Sequence, residues 1–316
     1  MINTLSDSFN VKDNTVTMTH IKIGTRPSRL AVRQAEMVAE RLTAAGIDAS
    51  IHRFNSSGDI ERSTPLYRTP GTGIFVEEIN RRVLSGEVDV AVHSAKDLPA
   101  DLPDGLDVIS VLPRENFNDV LIAERPLEEL PAGSHIGTSS LRRIKELSMV
   151  RPDLVAENIR GNIDTRIQKY RDGDYDGIIL AEAGITRLGI SIKYHRLGTE
   201  AFMPAANQGV IAVVGIGGSS AFSAVERLKN QDAQFAMEME REAMRRLNLG
   251  CSMPAGVICT RSGAVWTLTV RLYSLNTREY RDYASSVRNR QDVDDFTVGI
   301  LERIPPEFGY GRGGTA

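Results

Sequence analysis

The stretch KIGTRPSRLAVRQAEMV at residues 22–38 returns as HIGTSSLRRIKELSMV at residues 135–150. In both copies a short β-branched run ends at Ile-Gly-Thr, and a helical pattern rich in arginine begins directly after it. A second pair of stretches, 78–97 and 164–184, repeats in the same order, and Gly173–Asp176 aligns on Gly86–Asp89 without a gap. The repeated strand-to-helix pattern predicts two similar α/β lobes within one chain.

The order of elements favours parallel sheets with a ligand cleft between the lobes. IKIGT at 21–25 reads as a strand, Ser28 as the N-cap of a helix that Gly46 closes, and VDVAVHS as a strand after a helix ending at Gly86. Strand and helix alternate in this way in βαβ units, and ligands bind at the carboxyl ends of such strands. We expect a crossover near 111–116 and a return strand within 204–214.

The last third of the chain has a different pattern. A helix is followed by a loop with Cys251, two alternating strands and a final helix, which together predict a small α+β domain. The predicted division is a flexible extension at 1–20, lobe 1 at 21–112 and 206–227, lobe 2 at 113–205, the C-terminal domain at 228–306 and a flexible tail at 307–316. Met18 is an alternative start of translation.

Composition limits the classes of function. The chain has 316 residues, 41% of them hydrophobic, and a formal net charge of −3, so any anion site must be a local cluster of Lys and Arg. That charge gives no overall attraction to nucleic acid or to a membrane. Two cysteines, Cys251 and Cys259, are too few for a disulfide framework, and the first 17 residues resemble neither a signal nor a transit peptide. We therefore expect a cytoplasmic protein that binds neither nucleic acid nor membrane.

The predicted strand-to-helix turns carry an unusual number of cations and hydroxyls. An arginine at a helix N-terminus opposes the helix dipole, so a series of them indicates an anionic partner such as a substrate with several carboxylates. The alternative is that these arginines are simply solvated. The residues concerned are Arg26, Ser28, Arg29, Ser139, Ser140, Arg142, Arg143, Arg160 and Arg166.

The strand VAVHSAKDLP at 90–99 ends in charge, whereas its counterpart in the repeat continues with Ala183 and Gly184. A carboxylate at Asp97 could accept hydrogen bonds from N–H donors and stabilise a developing cation. The alternatives are a surface ion pair of Lys96 and Asp97 before Pro99, and a structural role for His93.

The cysteines, the metal-binding motifs and the glycine-rich stretch give weaker indications of function. Cys251 follows a helix and could be a reactive thiol or a small core residue, whereas Cys259 lies in the apolar run GVICT and is predicted to be core. The sequence has neither CxxC nor HExxH, so no metal is expected, and PGTGIF lacks the strand context of a nucleotide-binding loop.

Taken together, these stretches resemble the porphobilinogen deaminase family, also called hydroxymethylbilane synthase. The segments that carry the resemblance run in family order over about residues 20–260, and the most specific are AVHSAKDLP, GTSSLRR, RGN followed by TR, and GCSMPAG. The resemblance implies an enzyme with two similar periplasmic-binding-protein-like lobes and a small α+β C-terminal domain. Its members condense four porphobilinogen molecules head to tail, release ammonia and free hydroxymethylbilane.

The resemblance also implies roles for individual residues. The primer is a dipyrromethane held by a thioether, here to Cys251, the catalytic aspartate falls on Asp97, and Lys96 is its neighbour. Cofactor contacts fall on Ser28, Ser94, Thr138, Ser139, Ser140, Arg142, Arg143 and Arg160, and substrate contacts on Arg26, Arg166 and Arg187. A monomer that hands its product to uroporphyrinogen-III synthase is the expectation for partners.

The sequence departs from many relatives at a few positions. Thr72 stands where the glycine-rich stretch often has a lysine, Asn207 replaces a small residue before Gln-Gly, and VVGIGGSS lacks an arginine often found there. Two other classes remain open from fold alone: a two-lobed binding protein for a dicarboxylate, and a ligand-sensing regulatory domain. The first would not need Asp97 or the loop cysteine, and the second predicts a basic helix-turn-helix.

Overall fold

The computed structural model describes residues 20–55, 74–250 and 253–310. The first part of the chain forms β1 (His20–Thr25), α1 (Arg29–Ala44), β2 (Asp48–Arg53), α2 (Ile74–Leu84), β3 (Val90–Ser94) and β4 (Leu106–Val111). The middle forms β5 (Asp119–Ala123), β6 (His135–Gly137), α3 (Leu141–Val150), β7 (Val155–Glu157), α4 (Ile163–Arg171), β8 (Gly177–Ala181), α5 (Glu182–Arg187) and β9 (His195–Arg196). The last part forms β10 (Ile211–Ile216), α6 (Ser220–Glu226), α7 (Gln231–Arg246), β11 (Ala255–Ser262), β12 (Val265–Tyr273), β13 (Tyr280–Ser286) and α8 (Arg290–Arg303).

Within these residues the strands form three sheets. Their orders are β2-β1-β3-β10-β4, β7-β6-β8-β5-β9 and β11-β12-β13. The fold class predicted from sequence, two similar α/β lobes with a small α+β C-terminal domain, is therefore confirmed.

The first helix shows how local sequence builds a lobe. The Ser28 hydroxyl caps α1 by accepting a hydrogen bond from the Ala31 N–H at 3.3 Å. Ala35, Val38 and Leu42 recur at helical spacing and pack in the same buried cluster as Ile21 of β1. The predicted N-cap is therefore present, and an apolar stripe packs α1 against the strand before it.

The duplication extends to hydrogen bonds. In lobe 1 the Lys22 N–H donates to Asp89 Oδ2 at 2.7 Å, and the Asp89 N–H donates to the Lys22 carbonyl at 2.9 Å. In lobe 2 His135 and Asp176 form the same pair of bonds at the same two distances. The gapless alignment of these two aspartates in the sequence therefore corresponds to one structural device used twice.

The sheets are mixed, not parallel as expected from the alternating pattern. β1 pairs in parallel with β2 and β3, but β10 runs antiparallel to both β3 and β4. β10 is the strand by which the chain returns from lobe 2, and it enters the sheet of lobe 1 in the direction opposite to its neighbours β3 and β4. β5 is likewise antiparallel to β8.

The C-terminal domain has more order than expected. The stretch Ala255–Ser262 forms a strand paired antiparallel with β12, so the sheet has three described strands where two were predicted. The prediction of a flexible tail from residue 307 is wrong for its first residues, because Phe308 and Tyr310 are buried in the core of the C-terminal domain. The Tyr310 hydroxyl also donates to the Pro254 carbonyl at 2.7 Å.

Two segments that connect the lobes touch each other. The outgoing segment (residues 112–118) runs from β4 to β5, and the returning segment (residues 197–210) runs from β9 to β10. The Glu115 N–H of the outgoing segment donates to the Gly209 carbonyl of the returning segment at 3.0 Å. Gly209 has φ +87°, and a Cβ there would lie 2.6 Å from the Glu115 carbonyl oxygen, so no side chain fits. Asn207, noted above as a departure, has φ 60°, a left-handed conformation that asparagine tolerates better than most residues.

Candidate functional site

The carboxyl end of β3 presents the charged residues that the sequence singled out. A 3₁₀ turn at Ala95–Asp97 follows the strand directly, and the side chain of Asp97 is exposed while Lys96 is half-buried. The Ser94 hydroxyl exchanges hydrogen bonds with the Gln34 amide, at 2.8 and 3.2 Å. The strand therefore ends in a turn that exposes a carboxylate beside an ammonium group.

His93 has a structural position. It is buried, and its Nε2 lies 3.0 Å from Asn80 Oδ1. Burial, with a smaller effect of Arg26, lowers the pKa of His93 to about 4, so its imidazole is neutral at neutral pH. The structural alternative stated for this residue describes it well.

Charged groups from the two lobes meet around Asp97 and Lys96. Burial lowers the pKa of Lys96 to about 8, with Asp97 opposing this shift and Arg143 adding to it. Burial also lowers the pKa of Arg166 to about 10, where Arg143 adds to the shift and Asp97 opposes it. Lys96 Nζ of lobe 1 donates to Gln208 Oε1 at 3.3 Å, and Gln208 and Arg143 of lobe 2 both donate to Asp119, so Lys96 and Arg143 belong to one cluster. The electrostatic effects of Asp97 on both Lys96 and Arg166 place these groups in the same region.

The second Ile-Gly-Thr turn uses its hydroxyls internally. Ser140 caps α3 by accepting a hydrogen bond from the Arg143 N–H at 3.5 Å. The Ser139 hydroxyl donates to the Ile159 carbonyl, and Thr138 Oγ1 accepts from the Ser140 N–H at 3.3 Å. These three residues build the turn, and so does Ser28 at the equivalent place in lobe 1.

Arg142 differs from the sequence expectation of a ligand-facing arginine. It is buried, and its guanidinium donates to Glu146 and Asp119, each at 2.8 Å, and to the Met203 carbonyl at 2.6 Å. Arg143 also donates to Asp119, at 2.6 Å. Burial alone would raise the pKa of Asp119, but the two guanidiniums more than offset it and hold that pKa well below its usual value. The contacts of Arg142 are therefore those of a structural ion pair.

Arg160 has the opposite character. Its Nε and Nη2 atoms are buried, and neither has a hydrogen-bond partner within the described parts of the chain. Arg143 Nε is in the same situation. Buried guanidinium N–H groups without an acceptor are costly, and a bound carboxylate would satisfy them.

The remaining predicted arginines, Arg166 and Arg187, both donate to backbone carbonyls. Arg166 is half-buried and donates from Nε to the Gly161 carbonyl at 2.8 Å. Arg187 donates to Glu115 at 3.1 Å and to the Gly209 carbonyl at 2.7 Å. Arg187 therefore ties α5 to both connecting segments.

One further arginine joins the lobes directly. Arg29 of α1 donates to Asp164 of α4 at 2.9 Å and to the Leu188 carbonyl at 3.3 Å. Both side chains of this ion pair are partly exposed, with relative accessibilities of 60% and 41%.

The two cysteines differ in what can be said of them. Cys251 lies outside the described residues, as does Thr72. Cys259 is buried in the C-terminal core, and burial raises the pKa of its thiol to about 12, so it is not a nucleophile at neutral pH. The prediction that Cys259 is a core residue is confirmed.

Several polar residues important to this site were not found from the sequence. Asp119, Gln208, Glu146 and Glu240 are buried carboxylates or amides that bond to site residues or to the connecting segments. Asp119 and Gln208 each lie beside an apolar run, in FNDVLIA and ANQGVIAVV, and this position could have indicated that they are buried. It could not indicate which residues they would bond to.

Within the described ranges no group of three or more His, Cys, Asp or Glu is arranged to hold a metal ion. A search of the same ranges found no helix of the length and apolarity required to cross a membrane.

Comparison with known proteins gives a consistent relationship. A family model described as "Porphobilinogen deaminase, dipyromethane cofactor binding domain" matches residues 21–222. The chain is 42% identical over 290 residues to a probable porphobilinogen deaminase of Thermoplasma volcanium, covering 92% of this chain and 98% of that protein. It is 44% identical over 271 residues to a probable porphobilinogen deaminase of Metallosphaera sedula, covering 82% of this chain and 91% of that protein.

Among solved structures, the methionine binding protein MetQ overlaps 71% of this chain and 90% of its own, at 12% identity and a TM-score of 0.42. The family model spans more than half of the chain, and the curated relatives align over almost their whole length. The chain therefore belongs to the porphobilinogen deaminase family.

Proposed function

We propose that this chain catalyses the reaction of its family, the head-to-tail condensation of four porphobilinogen molecules to hydroxymethylbilane with release of ammonia. The observation that carries the proposal is the meeting of Asp97 with Lys96, Arg143 and Arg166 between two lobes. Porphobilinogen carries two carboxylates on each ring, so a cluster of cations suits it in a chain whose net charge is −3. The reacting centre becomes cationic as ammonia leaves, and the exposed carboxylate of Asp97 among these cations suits that step.

The dipyrromethane cofactor named in the family description fits the described residues. Arg160 and Arg143 hold buried N–H groups without internal acceptors, and carboxylate side chains of a pyrrole pair would accept from them. Lys96 and Arg166 would contribute further positive charge. When bound, the cofactor supplies the pyrrole carbon to which the first substrate is joined. We propose Cys251 as its attachment point.

The roles of single residues follow from their contacts. Asp97 would hold pyrrole N–H groups and offset positive charge as ammonia leaves. Ser94, oriented by Gln34, retains capacity to contact the ligand beside it. Arg26 and Arg166 would bind substrate carboxylates, while Ser28, Thr138, Ser139, Ser140, Arg142 and Arg187 would shape the turns and connections that place the cleft.

We also propose the domain division 21–112 with 206–227, 113–205 and 228–310, because the membership of the three sheets follows it and Phe308 and Tyr310 pack in the C-terminal core. Two cysteines in 316 residues suit a reducing cytoplasm. A monomer that passes its product to uroporphyrinogen-III synthase completes the proposal, and light scattering during gel filtration tests the monomer.

Intact-mass spectrometry tests the function directly. Protein purified from cells with intact tetrapyrrole synthesis should be heavier than its sequence by about two pyrrole units, and it should convert porphobilinogen to hydroxymethylbilane. Cys251→Ser should lose both the added mass and the activity, whereas the matched variant Cys259→Ser should keep both. An unmodified wild-type mass with no turnover would instead favour a binding protein.

A further inference from the structure

Gln208 occupies a particular place between the lobes. It is buried in the returning segment, and its Nε2 donates to the Phe117 carbonyl at 2.7 Å and to Asp119 Oδ1 at 2.8 Å. Both partners are acceptors only, so the amide orientation is fixed. Its Oε1 then accepts from Lys96 Nζ of lobe 1 at 3.3 Å.

Asp119 continues this chain of contacts into lobe 2. It is fully buried and accepts from Gln208 and from the guanidiniums of Arg142 and Arg143. One amide and one carboxylate therefore connect the lysine of lobe 1 to the arginine pair that begins α3. The charge of Asp119 is shared between two guanidiniums.

The acceptor that Lys96 meets directly is thus neutral. The charged groups that act on Lys96 are Asp97 in its own turn, Asp119 on β5, and Arg142 and Arg143 on α3. A carboxylate in place of the Gln208 amide would neutralise Lys96, and an apolar side chain would leave its ammonium without this anchor. The glutamine fixes the direction of Lys96 and leaves its charge available.

We propose that Gln208 and Asp119 form a positioning pair that aims Lys96 at a carboxylate of the bound pyrrole chain without neutralising it. The inference rests on the proposed function. It assigns to both residues a role through Lys96, since neither is proposed to touch the reacting atoms.

The test is the pH profile of kcat/KM for porphobilinogen between pH 6.5 and 9.5, with protein shown by mass to carry its primer. Lys96 must be protonated to bind a carboxylate, so kcat/KM of the wild type should fall as pH rises through about 8. Gln208→Met removes an acceptor that favours the ammonium form, so the fall should move to lower pH and KM should rise about fivefold to tenfold. Gln208→Glu adds negative charge, so the fall should move to higher pH while KM rises at every pH.

If the fall in kcat/KM moves to lower pH in Gln208→Met and to higher pH in Gln208→Glu, the effect is electrostatic and acts on Lys96. A simple loss of packing would not move the two profiles in opposite directions. The matched control is Gln168→Leu, an exposed glutamine bonded to Asp172, and its profile should coincide with that of the wild type. Unshifted profiles in both Gln208 variants, or shifts in the same direction, would overturn the proposal. If Gln208→Met cannot be purified, Gln208→Glu decides alone, and a fall at or below the wild-type pH overturns it.

The same experiment distinguishes this inference from the function on which it depends. A wild type that forms no hydroxymethylbilane contradicts the proposed function. A wild type that turns over, with variants whose profiles coincide with it, contradicts only the positioning pair.

Discussion

The Tyr273 hydroxyl of β12 donates a 2.6 Å hydrogen bond to the Glu146 carboxylate of α3, and this bond joins the C-terminal domain to lobe 2. Both residues are buried. Tyr273→Phe should lower the free energy of unfolding by about 1–3 kcal/mol, because a buried carboxylate oxygen loses its donor. Urea unfolding measures the change, and Tyr280→Phe, on the exposed neighbouring strand, should lower it by much less. Equal effects of the two substitutions would contradict a special role of this bond.

Glu146 also predicts a pH dependence of stability. Burial raises the pKa of Glu146 from 4.5 to about 7, against the opposing effect of Arg142. A raised pKa in the folded state means that the contribution of this group to stability is fully present below pH 4.5 and is lost as pH rises through 7. The difference in unfolding free energy between wild type and Glu146→Gln should therefore shift against the wild type between pH 5 and pH 8. A difference that stays constant would show that Glu146 does not titrate in this range.

Asp97→Asn tests the chemistry itself. The substitution keeps size but removes the charge that stabilises the developing cation, so turnover should fall about 10²–10³-fold in protein that carries its primer. Steady-state formation of hydroxymethylbilane measures it. The exposed Asp104 provides the control, because Asp104→Asn should turn over normally. If Asp97→Asn formed hydroxymethylbilane within a few-fold of the wild-type rate, the proposed role of the Asp97 carboxylate would be wrong.

Arg142→Leu and Arg160→Leu should fail in different ways. Removing Arg142 takes a buried ion-pair partner from both Asp119 and Glu146, so the free energy of unfolding should fall by about 3–5 kcal/mol. Removing Arg160 takes away unpartnered N–H groups, so stability should hold while primer assembly or elongation falls about ten- to a hundredfold. Thermal unfolding and intact mass on the same samples separate the two. Loss of stability in Arg160→Leu alone would reverse this assignment.

Arg29 should hold the lobes together with little effect on folding. Arg29→Ala removes its bonds to Asp164 and to the Leu188 carbonyl, so the radius of gyration measured by small-angle scattering should increase. The pair is partly exposed, so the free energy of unfolding should change by no more than about 1 kcal/mol. Arg41→Ala, on the same helix, should leave the radius unchanged. An unchanged radius in Arg29→Ala would show that other contacts hold the lobes.

The sequence was sufficient for the parts of the fold that repeat. The second Ile-Gly-Thr turn and the paired aspartates Asp89 and Asp176 occupy equivalent places, because one pattern of apolar spacing and caps builds both lobes. The direction of β10 was not predictable, since an apolar run is the same whether its neighbours are parallel or antiparallel.

The sequence indicated where the candidate site lies, but it did not show which of its arginines bind a ligand and which bind other residues of the protein. Arginine after a strand looks the same in sequence whether its carboxylate belongs to a ligand or to Asp119, and only the fold brings Asp119 to Arg142 across more than twenty residues. Gln208 was missed for the same reason, because its partners lie on two other segments.

Glu240 of α7 has a consequence for how the chain can be divided. Its buried carboxylate accepts from Arg114 of the outgoing segment, from the Asn207 N–H of the returning segment at 2.5 Å and from the Cys259 N–H of β11 at 2.7 Å. A fragment ending near residue 227 would lose the carboxylate that accepts from Arg114 and Asn207, and a fragment starting there would leave Glu240 with the Cys259 N–H but without the Arg114 guanidinium. Glu240 thus connects both segments between the lobes to the C-terminal domain, and we expect each part expressed alone to be less stable than it is in the whole chain.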